Sequence, residues 1–266
     1  MSFLTLLTDF GLEDGYVGSM KGVIWQISPD TQIADITHAI PPQDIFTGSY
    51  LLARTANYYP SGTVHVAVVD PGVGTLRRPI AARIGDQYFV GPDNGLVSFL
   101  VKQAHETWQS CLYVHLTHKE YWMPSISRVF HGRDIFAPVG AHLCRGIPLH
   151  EMGDPIDDPI LLNIPVPSIK SDKLYGSVLQ IDHFGNITTN IHENLLSGKI
   201  VESVFYHEIN FGPLAQSFGE KNPGNWVALI DSYQHLSLSL VNGSAASNLN
   251  ARVGDQVIVN FQKIKQ

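Results

Sequence analysis

Thr63-Val-His-Val-Ala-Val-Val69-Asp70-Pro-Gly-Val-Gly-Thr75 is the stretch on which the fold turns. Its first seven residues are almost all apolar or β-branched, the composition of a strand buried on both faces rather than one that alternates between core and water. A carboxylate follows at once, and then glycines that let backbone come close to a ligand. The turn is not a phosphate loop, because it lacks a Gly-Lys-Ser/Thr ending and a helix after it. Its glycine spacing also differs from a dinucleotide fingerprint. Two readings of Asp70 stand side by side: a ligand-facing carboxylate, or one half of a structural ion pair with the arginines that follow.

Outward from this strand, residues 1–160 alternate strands and helices. Phe3-Leu-Thr-Leu-Leu7 is a short apolar run ending at Thr8-Asp9-Phe10-Gly11. Residues 16–27 carry Tyr16, Met20, Val23, Ile24 and Ile27 at helical spacing and stop before Ser28-Pro29. Strands are expected at 32–36, 88–90 and 111–114, and helices at 45–59 and 134–144. The alternation predicts a mostly parallel, layered α/β sheet. Ligands of such sheets gather beyond the carboxyl ends of the strands, where an acidic residue can hold a ribose diol. Asp9 stands at such an end, although an Asp there can equally serve the turn itself.

The pattern changes after about residue 155. A proline-punctuated, extended stretch suits a linker, set at 161–172. Residues 173–266 then show short runs (174–181, 200–207, 226–231, 235–241, 256–261) separated by turns rich in Gly, Asn and Ser. That is the pattern of an all-β, barrel-like domain.

The 266 residues carry a net charge of −7 with only 17 Lys and Arg, so the basic surface needed to track phosphates is missing and nucleic acid is a poor partner. Two cysteines make neither a disulfide framework nor a metal knuckle, which fits a reduced, cytoplasmic setting. No apolar run approaches the ~20 residues needed to cross a bilayer, and the first residues lack the basic region of a signal peptide. Of the twelve histidines, most stand alone in strand-like or helix-like surroundings, where a structural role is the usual case.

Two further segments carry possible chemistry. Arg128-Val-Phe130-His131-Gly132-Arg133-Asp134 offers a His and an Asp three apart. That is too little for a metal without a third ligand. Asp134 reads as opening the helix after it, and His131 as a polar donor or base. Asp182-His183-Phe184-Gly185-Asn186 compresses acid, amide and aromatic into a glycine turn between strands, either a recognition loop or a plain hairpin turn.

Seven segments in order carry a resemblance: Thr8-Asp-Phe-Gly11, Pro42-Gln-Asp44, Asp70-Pro-Gly-Val-Gly-Thr75, Gly91-Pro-Asp-Asn-Gly-Leu96, Phe130-His-Gly-Arg-Asp134, Asp182-His-Phe-Gly-Asn186, and Asp231-Ser232 with Asn242-Gly-Ser-Ala-Ala246. Together they resemble the S-adenosylmethionine hydroxide adenosyltransferases, relatives of the adenosyl-fluoride and adenosyl-chloride synthases. The resemblance implies a Rossmann-like first domain, a β-barrel second domain, and a homotrimer with sites at subunit interfaces. It also implies hydrolysis of S-adenosylmethionine to adenosine and methionine without cofactor or metal. By the same resemblance Asp70, Arg77 and His131 hold and activate water, with neighbouring Arg78 the alternative to Arg77. Asp9 takes the ribose hydroxyls, Asn186 the adenine, and Phe218 stacks on the base. Asp182 and Ser232 meet the methionine end, and the backbone near Ala245 assists with the base. Tyr233 stands where the halogenating relatives carry Arg, and Gln234 and Ser237 stand where many hydrolysing members have Gly and Glu. Asp70 beside the nucleophile would repel a halide, which disfavours halogenation. A non-catalytic sensor of S-adenosylmethionine and a metal-dependent hydrolase are the rival readings.

Overall fold

The apolar residues of β1 (Phe3–Thr8) point to both faces of a sheet: Leu4, Leu6 and Leu7 are all fully buried. The computed structural model describes residues 2–263 and divides into two units, residues 1–163 and 164–266. In the first unit β1 is followed by α1 (Tyr16–Ile27), β2 (Gln32–Thr37), α2 (Ile45–Ala56) and β3 (Val64–Val68). After these come β4 (Pro79–Ile84), β5 (Gln87–Pro92), α3 (Ser98–Glu106), β6 (Cys111–His115), α4 (Ala137–Cys144) and β7 (Asp154–Ile156). The sheet order is β2-β1-β3-β5-β4-β6-β7.

Helices cover both faces. Met20 and Ile24 of α1 and Ala137, Val139 and Ala141 of α4 share a core with Leu4, Leu6, Val64, Val66 and Val68. On the other face Gly48 of α2 faces Leu7, Val69 and Leu96, so close that a Cβ there would lie 3.0 Å from Leu96 and 3.1 Å from Val69. All five residues of β3 are buried, as its composition predicts. His65 within it is a structural histidine: Thr5 Oγ1 meets its Nδ1 at 2.7 Å and Gln87 Oε1 its Nε2 at 3.2 Å. Burial pushes the ring down to about 4 and keeps it neutral.

The sheet is less parallel than the sequence suggests. Strands β2, β1, β3 and β5 pair in parallel, but β4 is antiparallel to β5 and β6, and β6 to β7. The cause is local: only Gly85 and Asp86 separate β4 from β5, and a two-residue link can only reverse the chain. Gly85 takes φ +59, as such a tight reversal requires. In the parallel half, β1 leads outward to β2 on one side, and the chain then crosses back to β3 on the other. The strand order therefore switches between β1 and β3, whose carboxyl ends are aligned with Thr8 opposite Val68. Open α/β sheets bind ligands at such a switch point. Asp9 and Asp70 follow those two ends.

The second unit holds β8 (Ser168–Lys170), β9 (Lys173–Ile181), β10 (Ile187–His192), β11 (Lys199–Tyr206), β12 (Ile209–Asn210) and β13 (Leu214–Ala215). It continues with β14 (Trp226–Ile230), β15 (His235–Leu240), a short α5 (Ala245–Leu249) and β16 (Gln256–Lys263). They form one nine-stranded sheet in the order β12-β11-β16-β9-β10-β15-β14-β13, with β8 beside β9. Every pairing in it is antiparallel except β13 with β14. Leu174, Val204, Tyr206, Leu236, Leu238, Val257 and Phe261 fill its core.

Candidate active site

Asp70 leaves the end of β3 and enters a turn closed by Val73 N donating to Asp70 O (3.2 Å) and Thr75 N to Gly72 O (3.1 Å). That turn swings Arg77 back over Asp70. Arg77 Nε lies 2.9 and 3.0 Å from the two carboxylate oxygens, and its Nη2 donates to Oδ2 as well. The guanidinium centre lies 5.2 Å from the centroid of the buried Phe136 ring, a cation–π contact on its face. Side chains only 9% and 5% exposed make this a buried pair, which strong geometry has to compensate for lost hydration.

His131 completes the arrangement. Arg77 Nη2 lies 2.8 Å from His131 Nδ1. Because a guanidinium only donates, Nδ1 accepts, and the ring proton sits on Nε2. Burial first, and then the Arg77 charge, lower the His131 pKa below its ordinary value, while Asp70 and Asp134 pull the other way. The ring is therefore neutral at pH 7. Gly74 brings the two loops together: at φ +77, a Cβ there would lie 2.5 Å from the carbonyl oxygen of Arg128. A single π-helical turn, Gly132–Phe136, leads from His131 into α4, and such turns recur where a helix must aim a side chain.

Arg78 is engaged elsewhere. It binds the buried Asp93 through Nε (2.8 Å) and Asp158 through Nη1 (2.7 Å), so Arg77 alone faces Asp70. Asp93 also accepts from Ile160 N (2.7 Å), tying residues 158–160 down. Next to it, Asn94 Nδ2 donates to the Val69 carbonyl at 2.8 Å and fixes the backbone that presents Asp70. Asp134 does not cap a helix as its position suggests. Its buried carboxylate accepts from Ser127 N (2.7 Å) and pairs with Arg133 (2.6 Å), pinning the loop before His131.

Asp9 is held by the backbone: Gln43 N donates to its Oδ2 at 2.8 Å. Gln43 takes φ +67, a conformation that costs a non-glycine residue energy and here aims its N–H at Asp9. Asp44 caps α2 by accepting from Thr47 N (3.0 Å).

In the second unit Asp182 and Asn186 build one closed turn. Asp182 Oδ1 accepts from Phe184 N (2.9 Å) and Asn186 N (2.8 Å), and Asn186 Nδ2 donates to Asp182 Oδ2 (2.8 Å). Gly185, at φ +83, packs against Ser244, and its carbonyl accepts from Ala246 N at 2.9 Å, so the turn rests on the start of α5 and the buried Ala245. Asp231 accepts from the N–H groups of Tyr233 (2.8 Å) and His235 (3.0 Å), which shapes the loop through Ser232. Phe218 is half exposed at a short 3₁₀ turn, Phe218–Glu220. Among the described residues, no three His, Cys, Asp or Glu side chains lie close enough to hold a metal ion.

Comparison with known proteins decides the family. Residues 4–153 match the SAM hydroxide adenosyltransferase N-terminal domain and residues 176–258 the C-terminal domain. The chain belongs to the SAM hydroxide adenosyltransferase family. An (R)-S-adenosyl-L-methionine hydrolase from Salinispora tropica is 37% identical over 262 residues, covering 97% of each chain. A fluorinase from Nocardia brasiliensis is more distant, 27% identical and covering 96% of each. The crystal structure of an uncharacterized conserved protein from Thermotoga maritima superposes with a TM-score of 0.89 at 34% identity, covering 97% of this chain and 99% of that one.

In this member of the SAM hydroxide adenosyltransferase family, Gln234 adopts φ +64, a left-handed conformation that glycine takes without strain. Two polar residues of the site region escaped the sequence reading. Asn94 lies inside a quoted motif but carries no chemical signature, and His38, although it faces Asp35 three residues away, reaches Thr8 only across 30 residues.

Proposed function

We propose that this protein hydrolyses S-adenosylmethionine to adenosine and methionine, with water attacking the ribose 5′ carbon. The observation that carries the reading is the continuous chain Asp70–Arg77–His131 in a protein whose relative over nearly the full length is named (R)-S-adenosyl-L-methionine hydrolase.

A sulfonium is already an excellent leaving group, so methionine needs no acid to depart. The enzyme has to hold one water in line with the breaking bond and accept its proton as the new C–O bond forms. Arg77 makes three contacts to Asp70, out of about four lone-pair directions on a carboxylate, which leaves room for one more donor. That donor is the attacking water, and Asp70 takes its proton. His131 serves as the orienting group. With Nδ1 accepting from Arg77, its Nε2–H donates to the water oxygen and fixes the lone pair that attacks. Asp9 binds the ribose hydroxyls. Asn186, Phe218 and the backbone near Ala245 hold the adenine, while Asp182, Ser232 and Tyr233 meet the methionine end.

The parallel strands with helices on both faces support a Rossmann-like first domain (1–160), and the antiparallel nine-stranded sheet supports a barrel-like second one (173–266) after a linker at 161–172. The family resemblance adds a homotrimer with sites at subunit interfaces and no cofactor, while the scarcity of Lys and Arg, the lack of a long apolar run and the two cysteines support no nucleic-acid or membrane partner and a cytoplasmic location. Among the described residues no helix is long and apolar enough to cross a membrane.

Incubating chelator-treated protein with S-adenosylmethionine, with and without excess chloride, and identifying the products tests the reaction. Adenosine and methionine in both cases is the expected result. A chlorinated nucleoside would move the protein to the halogenating branch, and tight binding without product would make it a sensor.

A further inference from the structure

The Asp9 turn is held from behind by a histidine that the reaction does not use. His38 is 5% exposed and follows β2. Its Nδ1 lies 2.8 Å from Thr8 Oγ1, and Thr8 is fully buried at the end of β1. The same hydroxyl oxygen accepts from Phe10 N at 3.2 Å. On the other side of the ring, Nε2 lies 3.1 Å from Asp35 Oδ1, off-line for a well-formed hydrogen bond but favourable for a ring N–H facing a carboxylate. Asp35 is itself paired with Lys21 at 2.6 Å. The backbone adds a second tie, with Gly11 N donating to the His38 carbonyl at 2.9 Å.

A ring with its proton on Nε2 accounts for these contacts. The Asp35 carboxylate attracts the ring proton to Nε2, so Nδ1 is the acceptor and the Thr8 hydroxyl donates to it. With its hydrogen committed to His38, the Thr8 oxygen presents a lone pair to Phe10 N. The turn is thereby clasped on both sides of Asp9, at residues 8 and 10, and Gln43 N holds the carboxylate itself.

We propose that His38 is a positioning residue for ribose recognition, fixing the Asp9 carboxylate through the Thr8 hydroxyl so that both hydroxyls of a cis-diol are met at once. This rests on the reading of Asp9 as the diol-binding group. A diol needs two acceptor positions at a set separation, and a carboxylate on a turn free to rotate would meet only one of them well.

The test is the ratio of adenosine to 2′,3′-dideoxyadenosine affinity, measured by calorimetry, in the wild-type protein and in His38→Ala, His38→Asn and Thr8→Val. In His38→Ala and Thr8→Val the ratio should fall by about tenfold, the scale of one well-placed hydrogen bond. His38→Asn can still accept from Thr8 and should recover most of the ratio. Combining His38→Ala with Thr8→Val should add nothing, because the two act through one contact. A purely structural role would weaken both nucleosides equally and leave the ratio unchanged, and that outcome overturns the proposal. If His38→Ala does not fold, an unchanged ratio in Thr8→Val overturns it alone. A wild-type protein that does not distinguish the two nucleosides would remove the Asp9 reading, and the proposal with it.

Discussion

Arg77 Nη2 lies 2.8 Å from His131 Nδ1 while the same guanidinium grips Asp70, so one arginine sets both the charge partner of the carboxylate and the tautomer of the histidine. Each role depends on the planar fork of donors, which no other side chain supplies.

Arg77→Lys should therefore not rescue Arg77→Ala. A lysine is a single point of charge and cannot face Asp70 and His131 in fixed directions. Turnover in both variants should fall on the order of 100-fold, the scale seen when one oriented donor is removed from a reacting centre, with KM changed far less. Arg77→Ala should also cost about 3 kcal/mol of stability, because Asp70 would be left buried without its partner. Steady-state kinetics and urea unfolding check both. A lysine variant with near wild-type kcat would show that the fork geometry is dispensable.

Acid should inactivate the enzyme through His131. Its folded pKa lies below the ordinary histidine value of 6.5, so the ring is neutral above that value in both folded and unfolded chains. As pH falls below 6.5 the unfolded chain binds a proton first, and stability declines until the folded ring protonates too. Protonation of Nδ1 breaks the contact with Arg77, because two donors then face each other. The kcat/KM profile, which reports the free enzyme, should show an acid limb with its midpoint below 6.5. Titrating the imidazole by NMR should place the ring at the same midpoint, and a ring that titrates above 6.5 would refute the assignment.

Asn94→Ala should lower kcat by about tenfold while leaving adenosine affinity unchanged. Its amide holds the Val69 carbonyl, one residue before Asp70, and touches no group assigned to the nucleoside. The lost hydrogen bond should cost about 1 kcal/mol in unfolding experiments. Equal losses in kcat and in nucleoside affinity would argue for general disorder of the sheet end rather than loosened Asp70.

Gly185→Ala should weaken adenosine binding more than it slows a saturated enzyme. The added Cβ would fall 2.0 Å from Ser244 Oγ and 2.9 Å from Ser244 Cα, so backbone has to move. The left-handed conformation at φ +83 adds about 1–2 kcal/mol on its own. Gly22→Ala in α1 is the control, since a Cβ there meets nothing within 4 Å. That change should be neutral or stabilising by up to about 1 kcal/mol. Calorimetry with adenosine and thermal melts of both variants separate the two effects.

Much of the architecture is legible in residue pattern alone. The α1 periodicity gives Tyr16–Ile27 with the observed ends, and the run of apolar and β-branched residues gives β3. β4 is not legible in this way, because Pro79-Ile-Ala-Ala-Arg-Ile84 has little strand character and becomes a strand by pairing with β5 across a two-residue turn. Asp182 and Asn186 announce themselves because five residues suffice to close their turn.

The sequence by itself determined the mixed strand and helix character of the chain and which carboxylates stand at strand ends. Those features depend on neighbours within a turn or two, where spacing and side-chain chemistry decide the outcome. Only the tertiary structure decided that Arg77 rather than Arg78 meets Asp70, that His131 accepts from Arg77 across 54 residues, and that His38 reaches Thr8 across 30. Adjacent arginines of equal charge differ only in the direction each side chain leaves the backbone. That direction is set by the turn at 70–77 and by the order in which distant strands are laid side by side.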